Sequence, residues 1–189
     1  RHNDPLLNEQ DYMNMAYRLA MLQPDRWQDI LNTERSRLQS EDLRKEFDYV
    51  SRACNPDATK RTELFNSLLK PENRQQEPWA LHALDLLSAD IYEPDNIKYI
   101  TASLNSLQYL QQTSDIFFPS NWMKTVLAHH KSPAAKQVVE QFLATDKKQP
   151  EILKNKVREA AWVLLKQQPY VEKQKPVVVS KSKTAAKKR

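Results

Sequence analysis

The chain has 189 residues, eleven prolines, one cysteine, four histidines and no glycine, with a formal net charge of +5; average usage of about 7% would give roughly thirteen glycines. A phosphate-cradling loop needs a residue without Cβ, so P-loop, dinucleotide and kinase-type glycine loops are excluded, and tight glycine turns of an all-β fold are disfavoured. Residues 171–189 hold seven basic side chains and one acid, a surplus of six that exceeds the net charge, so the body before them is one charge negative.

In chain order, proline marks recur just ahead of amphipathic stretches: Pro24, Pro56, Pro78, Pro94, Pro119, Pro133 and Pro150. Proline suits a helix start because that N–H has no intrahelical partner. The spacing predicts eight helices near 9–22, 24–38, 41–53, 56–69, 77–88, 94–112, 119–130 and 133–145, and a further long one near 150–167. Stripes at three- and four-residue spacing give each an apolar face. Examples are Trp27, Ile30, Leu31, Glu34 and Leu38; Ala80, Ala83, Leu84 and Leu87; and Leu153, Val157, Ala160, Ala161 and Leu164.

No two-residue alternation is sustained, so the expected fold is all-α. Consecutive helices on short turns, without a strict sequence period, predict an irregular α-solenoid. That is a helical superhelix of stacked antiparallel helix pairs, in the HEAT manner, over residues 1–170. The Lys-, Val- and Ser-rich segment 171–189 reads as a disordered basic tail. No apolar run reaches the roughly 18 residues of a membrane helix. The chain opens Arg1-His2-Asn3-Asp4 without a signal peptide or initiator methionine, which reads as an excised piece of something longer.

Candidate chemistry is sparse. His2, His82, His129 and His130 lack the spacing of a zinc hydrolase. His129 and His130, adjacent on a predicted helix, diverge by about 100° and read as surface or helix-end histidines. Cys54 reads as a small buried side chain at a helix end. The charged run from Glu34 to Glu46 reads as a solvated, salt-bridged face. The tail lacks an aromatic to stack on bases, so no nucleic acid is expected as partner. The most informative stretch is Ser114-Asp115-Ile116-Phe117-Phe118-Pro119-Ser120-Asn121-Trp122. Neighbouring side chains of an extended segment face opposite ways, so Phe117 and Phe118 cannot both enter one core. One of them lines a groove or meets another domain, or else staples onto the next helix at Trp122 or Val126. Asp115, Phe117, Phe118 and Trp122 are therefore the candidate interface or cavity residues.

Further residues carry a family likeness. Arg44 to Val50, Asn55-Pro56-Asp57, Phe65, Leu68-Leu69, Asn73-Arg74, Glu77 and Trp79, then Asp115 to Pro119 with Trp122 and Leu127, resemble the C-terminal helical region of bacterial zinc-dependent aminopeptidases of the aminopeptidase N family. The resemblance spans about residues 10–168. It implies a bowl-shaped, non-catalytic domain that caps an upstream catalytic domain and restricts peptide access. The zinc, its His-Glu-x-x-His ligands and the residues holding the peptide's amino terminus are then expected upstream, with no catalytic or metal residue and no cofactor in this chain. Implied partners are that catalytic domain and the peptide substrate, met through exposed aromatics such as Phe117 or Phe118. The alternative is a free-standing α-solenoid adaptor that binds a protein segment.

Overall fold

Short polar side chains and prolines set where the helices begin. The structure, a computed structural model, describes residues 6–145 and 150–166; the tail 171–189 lies outside them. Helix α1 (Glu9–Leu22) opens on a reciprocal cap: Asn8 Oδ1 accepts from the Asp11 N–H at 3.0 Å, and Asp11 Oδ2 from the Asn8 N–H at 2.9 Å. Such contacts satisfy donors that a helix start leaves without partners. Ser40 caps α3 (Glu41–Val50), Asp57 caps α4 (Ala58–Leu68) and Ser132 caps α8 (Pro133–Thr145), each by accepting a backbone N–H. Pro78 and Pro119 sit in the first turns of α5 (Glu77–Leu87) and α7 (Phe118–Leu127). The remaining helices are α2 (Trp27–Arg35), α6 (Ile97–Thr113), α9 (Glu151–Ala160) and α10 (Trp162–Lys166).

The fold is all-helical, and the described residues contain no strand. Several predicted boundaries move: α2 ends at Arg35, α6 begins at Ile97 and α7 ends at Leu127, and three changes alter the elements themselves. Residues Pro24–Arg26 form a separate 3₁₀ turn before α2. The end of the 41–53 helix tightens into a 3₁₀ turn, Ser51–Cys54, because Asn55 precedes Pro56 and is driven to extended backbone (φ −60°, ψ 128°). The long last helix breaks at Ala161 (φ −87°, ψ 4°) into α9 and α10. No described residue has a positive φ, so no described turn asks for a glycine.

Packing follows alternate helices. Helix α3 lies on α5, α5 on α7 and α7 on α9, while α6 contacts α8 and α8 contacts α10; α6 also packs on α7, and α1 on α2. Between the rows runs an aromatic core. The Phe65 and Tyr99 rings stack at 4.4 Å, and Trp122 lies 6.1 Å from Phe65 and 5.7 Å from Phe118. Trp122 is fully buried, and its indole N–H finds the Ser103 hydroxyl at 2.9 Å, which removes the cost of burying a donor. No described helix is long and apolar enough to cross a membrane.

Candidate functional site

The corner between α6 and α7 is built from an arginine outward. Arg74 is buried, and its guanidinium donates to the Leu69 carbonyl at 3.0 Å, the Thr113 hydroxyl at 2.5 Å and the Ser114 hydroxyl at 3.0 Å. It also lies 5.5 Å from the centre of the Phe118 ring. These bonds tie the end of α6 to the turn after α4. They replace the water that a buried cation gives up.

Asp115 then starts α7. Its Oδ1 accepts the N–H groups of Phe117 at 2.6 Å and Phe118 at 2.9 Å. Those donors hold the Asp115 carboxyl below its ordinary pKa, Phe118 contributing most. The neighbouring Glu77 shifts the other way, raised first by burial and next by the Asp115 charge.

This cap separates the two phenylalanines. Phe118 turns inward and is 1% exposed, against Trp122, whereas Phe117 is 68% exposed. Of the four candidate residues, Phe118 and Trp122 belong to the core, Asp115 caps the helix, and Phe117 alone offers an apolar surface. The expectation that Phe118 could serve as an exposed interface aromatic is thus corrected: as the first residue of α7, it is carried into the core by the helix itself.

Phe117 borders a groove of about 600 Å³ that α6, the linker and α9 share. Its floor is Ile116, Phe117 and Ile152, the last also 68% exposed. Gln108, Gln112 and Ser120 stand at its polar edges. The wall is pinned by Lys156, whose Nζ donates to Gln111 Oε1 and to the Ile116 carbonyl, both at 2.8 Å. Lys124 and Glu159 pair at 2.7 Å between α7 and α9. The groove offers amide donors and acceptors around an apolar floor.

His129 and His130 follow the end of α7, as the helix-end alternative has it, but His130 is not at the surface. His130 is 2% exposed and meets Glu93 Oε1 through Nδ1 at 3.0 Å; Ser132 donates to the same oxygen at 2.9 Å. The reading of a surface histidine is corrected, because α7 stops at Leu127 and the following turn folds His130 under the segment after α5. His129 meets Asp85 at 2.7 Å. Burial lowers the pKa of His82, with Glu46 opposing. His2 lies outside the described residues.

Cys54 is buried at the end of its 3₁₀ turn, its thiol 3.7 Å from the Tyr17 carbonyl and pushed up to about 12 by burial. It is a poor nucleophile at neutral pH. The described residues hold no group of three or more His, Cys, Asp or Glu side chains able to bind a metal.

The charged run 34–46 is solvated only in part. Arg35–Asp48 and Lys45–Glu41 pair at the surface, but Glu34 is buried against Arg37 at 2.7 Å. The position of Glu34 on the stripe of Trp27 and Leu31 was the signal for this. The buried Arg61, which donates to the Asn55 and Pro56 carbonyls and covers the Tyr92 ring at 3.9 Å, had no such signal. No family model matches the chain, and no curated protein or solved structure matches it.

Proposed function

We propose that the chain is a non-catalytic helical domain of a zinc metallo-aminopeptidase. It caps the catalytic domain of the same polypeptide and restricts peptide access to the zinc. Its stacked helix pairs then form part of an irregular superhelix around the chamber, where a zinc-activated water in the catalytic domain attacks the first peptide bond. The observation that carries the reading is the Phe117 groove. The segment Asp115–Pro119, which supports the family resemblance, presents one aromatic outward on a rigidly capped corner, beside Ile116 and Ile152. An apolar patch with polar edges suits contact with another domain or with a peptide.

The same groove suits a second reading, a free-standing adaptor that binds a protein segment. The test is the native polypeptide in source-cell lysate, detected with an antibody against this chain. A band several times larger than 22.2 kDa that carries aminopeptidase activity on immunoprecipitation is the expected result. A single band at the mass of this chain, without activity, overturns the cap and favours the adaptor.

A further inference from the structure

Two consecutive apolar side chains stand open to solvent on α10: Trp162 is 62% and Val163 70% exposed. Their place follows from the core line of α9, where the buried Leu153 and Val157 are followed by Ala161 and Leu164. The Ala161 N–H donates to the Val157 carbonyl and the Leu165 N–H to the Ala161 carbonyl, both at 2.8 Å, so that line crosses the break. At about 100° per residue, positions 162 and 163 point away from it. Lys166 lies over the Trp162 ring at 4.6 Å and makes no ion pair among the described residues. The acids of α9 are already taken: Glu159 pairs with Lys124, and Glu151 with Arg158. Past Ala160 the sequence holds Lys166, the seven bases of 171–189 and a single acid, Glu172.

We propose that the α10 end of the protein docks on an anionic lipid surface, with Trp162 and Val163 at the headgroup boundary and the basic segment 171–189 drawn to the lipid charge. A small apolar insertion and a polybasic stretch are each marginal alone, and together they make a stable peripheral attachment. The sequence sets the two within a few residues of each other. An indole, with an apolar body and one N–H, suits the depth of the headgroups. Lys166 adds a cation beside it. A bilayer asks for charge density and not for a register, which fits bases at irregular spacing. Nucleic acid would meet the same bases, but 171–189 has no aromatic residue to stack on it, and Val163 would stay uncovered. Neither Trp162 nor Val163 lines the Phe117 groove, so this docking goes beyond the aminopeptidase cap and does not rest on it.

The test sediments the native polypeptide with phosphatidylcholine vesicles, with and without phosphatidylglycerol. Binding to the anionic vesicles alone is the expected result. It should fall at least tenfold between about 0.1 M and about 1 M salt, where the screening length drops from about 10 Å to about 3 Å. Trp162→Ser with Val163→Ser should weaken it at least tenfold at an unchanged melting temperature, since both side chains are exposed. Lys173→Gln, Lys175→Gln, Lys181→Gln and Lys183→Gln together should do the same. Where the double variant melts lower, Val163→Gln replaces it, with an expected loss of at least threefold. Equal binding to neutral vesicles, no binding to either kind, or undiminished binding in a folded variant overturns the proposal. So does tighter binding to duplex DNA than to the anionic vesicles, which would assign the bases to nucleic acid. Aminopeptidase activity is scored separately, so failure of the lipid docking leaves the cap standing, and the reverse.

Discussion

The centre of the molecule and its α1–α2 end use the same residue types to different effect. At the centre, α5 and α7 lie between neighbours, and Phe65, Phe118 and Trp122 are each under 2% exposed. At the end, α1 buries five residues inward yet leaves Met15, Leu19 and Leu22 open. Amphipathic spacing states how many faces of a helix can be buried. Whether a given face is covered depends on what lies beside it.

The sharpest way to break the comparison is at the centre. Trp122→Ala removes a fully buried indole and strands the Ser103 hydroxyl, and should cost about 3–5 kcal/mol in urea unfolding. Phe118→Ala should cost a similar amount, and Phe117→Ala less than about 0.5 kcal/mol. Equal losses from the two adjacent phenylalanines would contradict the placement of one inside and one outside.

Arg74→Ala comes next. It leaves the Leu69 carbonyl and the Thr113 and Ser114 hydroxyls without their donor and should cost about 1–3 kcal/mol. Arg74→Lys, with one ammonium in place of a fork, should recover only part of it.

A pH titration gives a smaller effect. Burial lowers the His82 pKa from its ordinary 6.5, so the unfolded chain binds the proton first. The neutral ring's contribution is therefore present above about pH 6.5, is lost as pH falls from there toward the folded value, and does not return. Melting curves between pH 8 and 5 should show that decline, and His82→Gln should flatten it. The smallest effect belongs to the open end: Leu19→Gln and Met15→Gln should each change the stability of the chain by less than about 1 kcal/mol.

Most helix positions were legible in the sequence, because apolar period and proline act locally. Leu84, Leu87, Val157 and Leu164 all lie in the core that their stripes predicted. The discrepancies lie where distant segments decide. His130 reads as a helix residue until Glu93, far off in sequence, draws it inside. Arg74 looks like a surface cation until the Thr113 and Ser114 hydroxyls, 39 and 40 residues on, meet its guanidinium, and Arg61 until it covers the Tyr92 ring. At the candidate site, Phe117 and Phe118 do part, as expected, but not as neighbours on an extended segment: Phe117 has helical backbone (φ −92°, ψ −28°) and Phe118 opens α7. Which one turns inward was not legible, since the Asp115 cap that sets the start of α7 is a matter of three-dimensional geometry.

The protein's lone cysteine can serve as a clock. With its thiol pushed up to about 12 and its sulfur enclosed between the 3₁₀ turn and α1, Cys54 offers almost no thiolate to a reagent while the fold is closed. A thiol probe under native conditions then reacts only in the moments when that turn lifts from Tyr17. The labelling rate counts openings of a single seam, and raising the urea concentration separates local release from global unfolding.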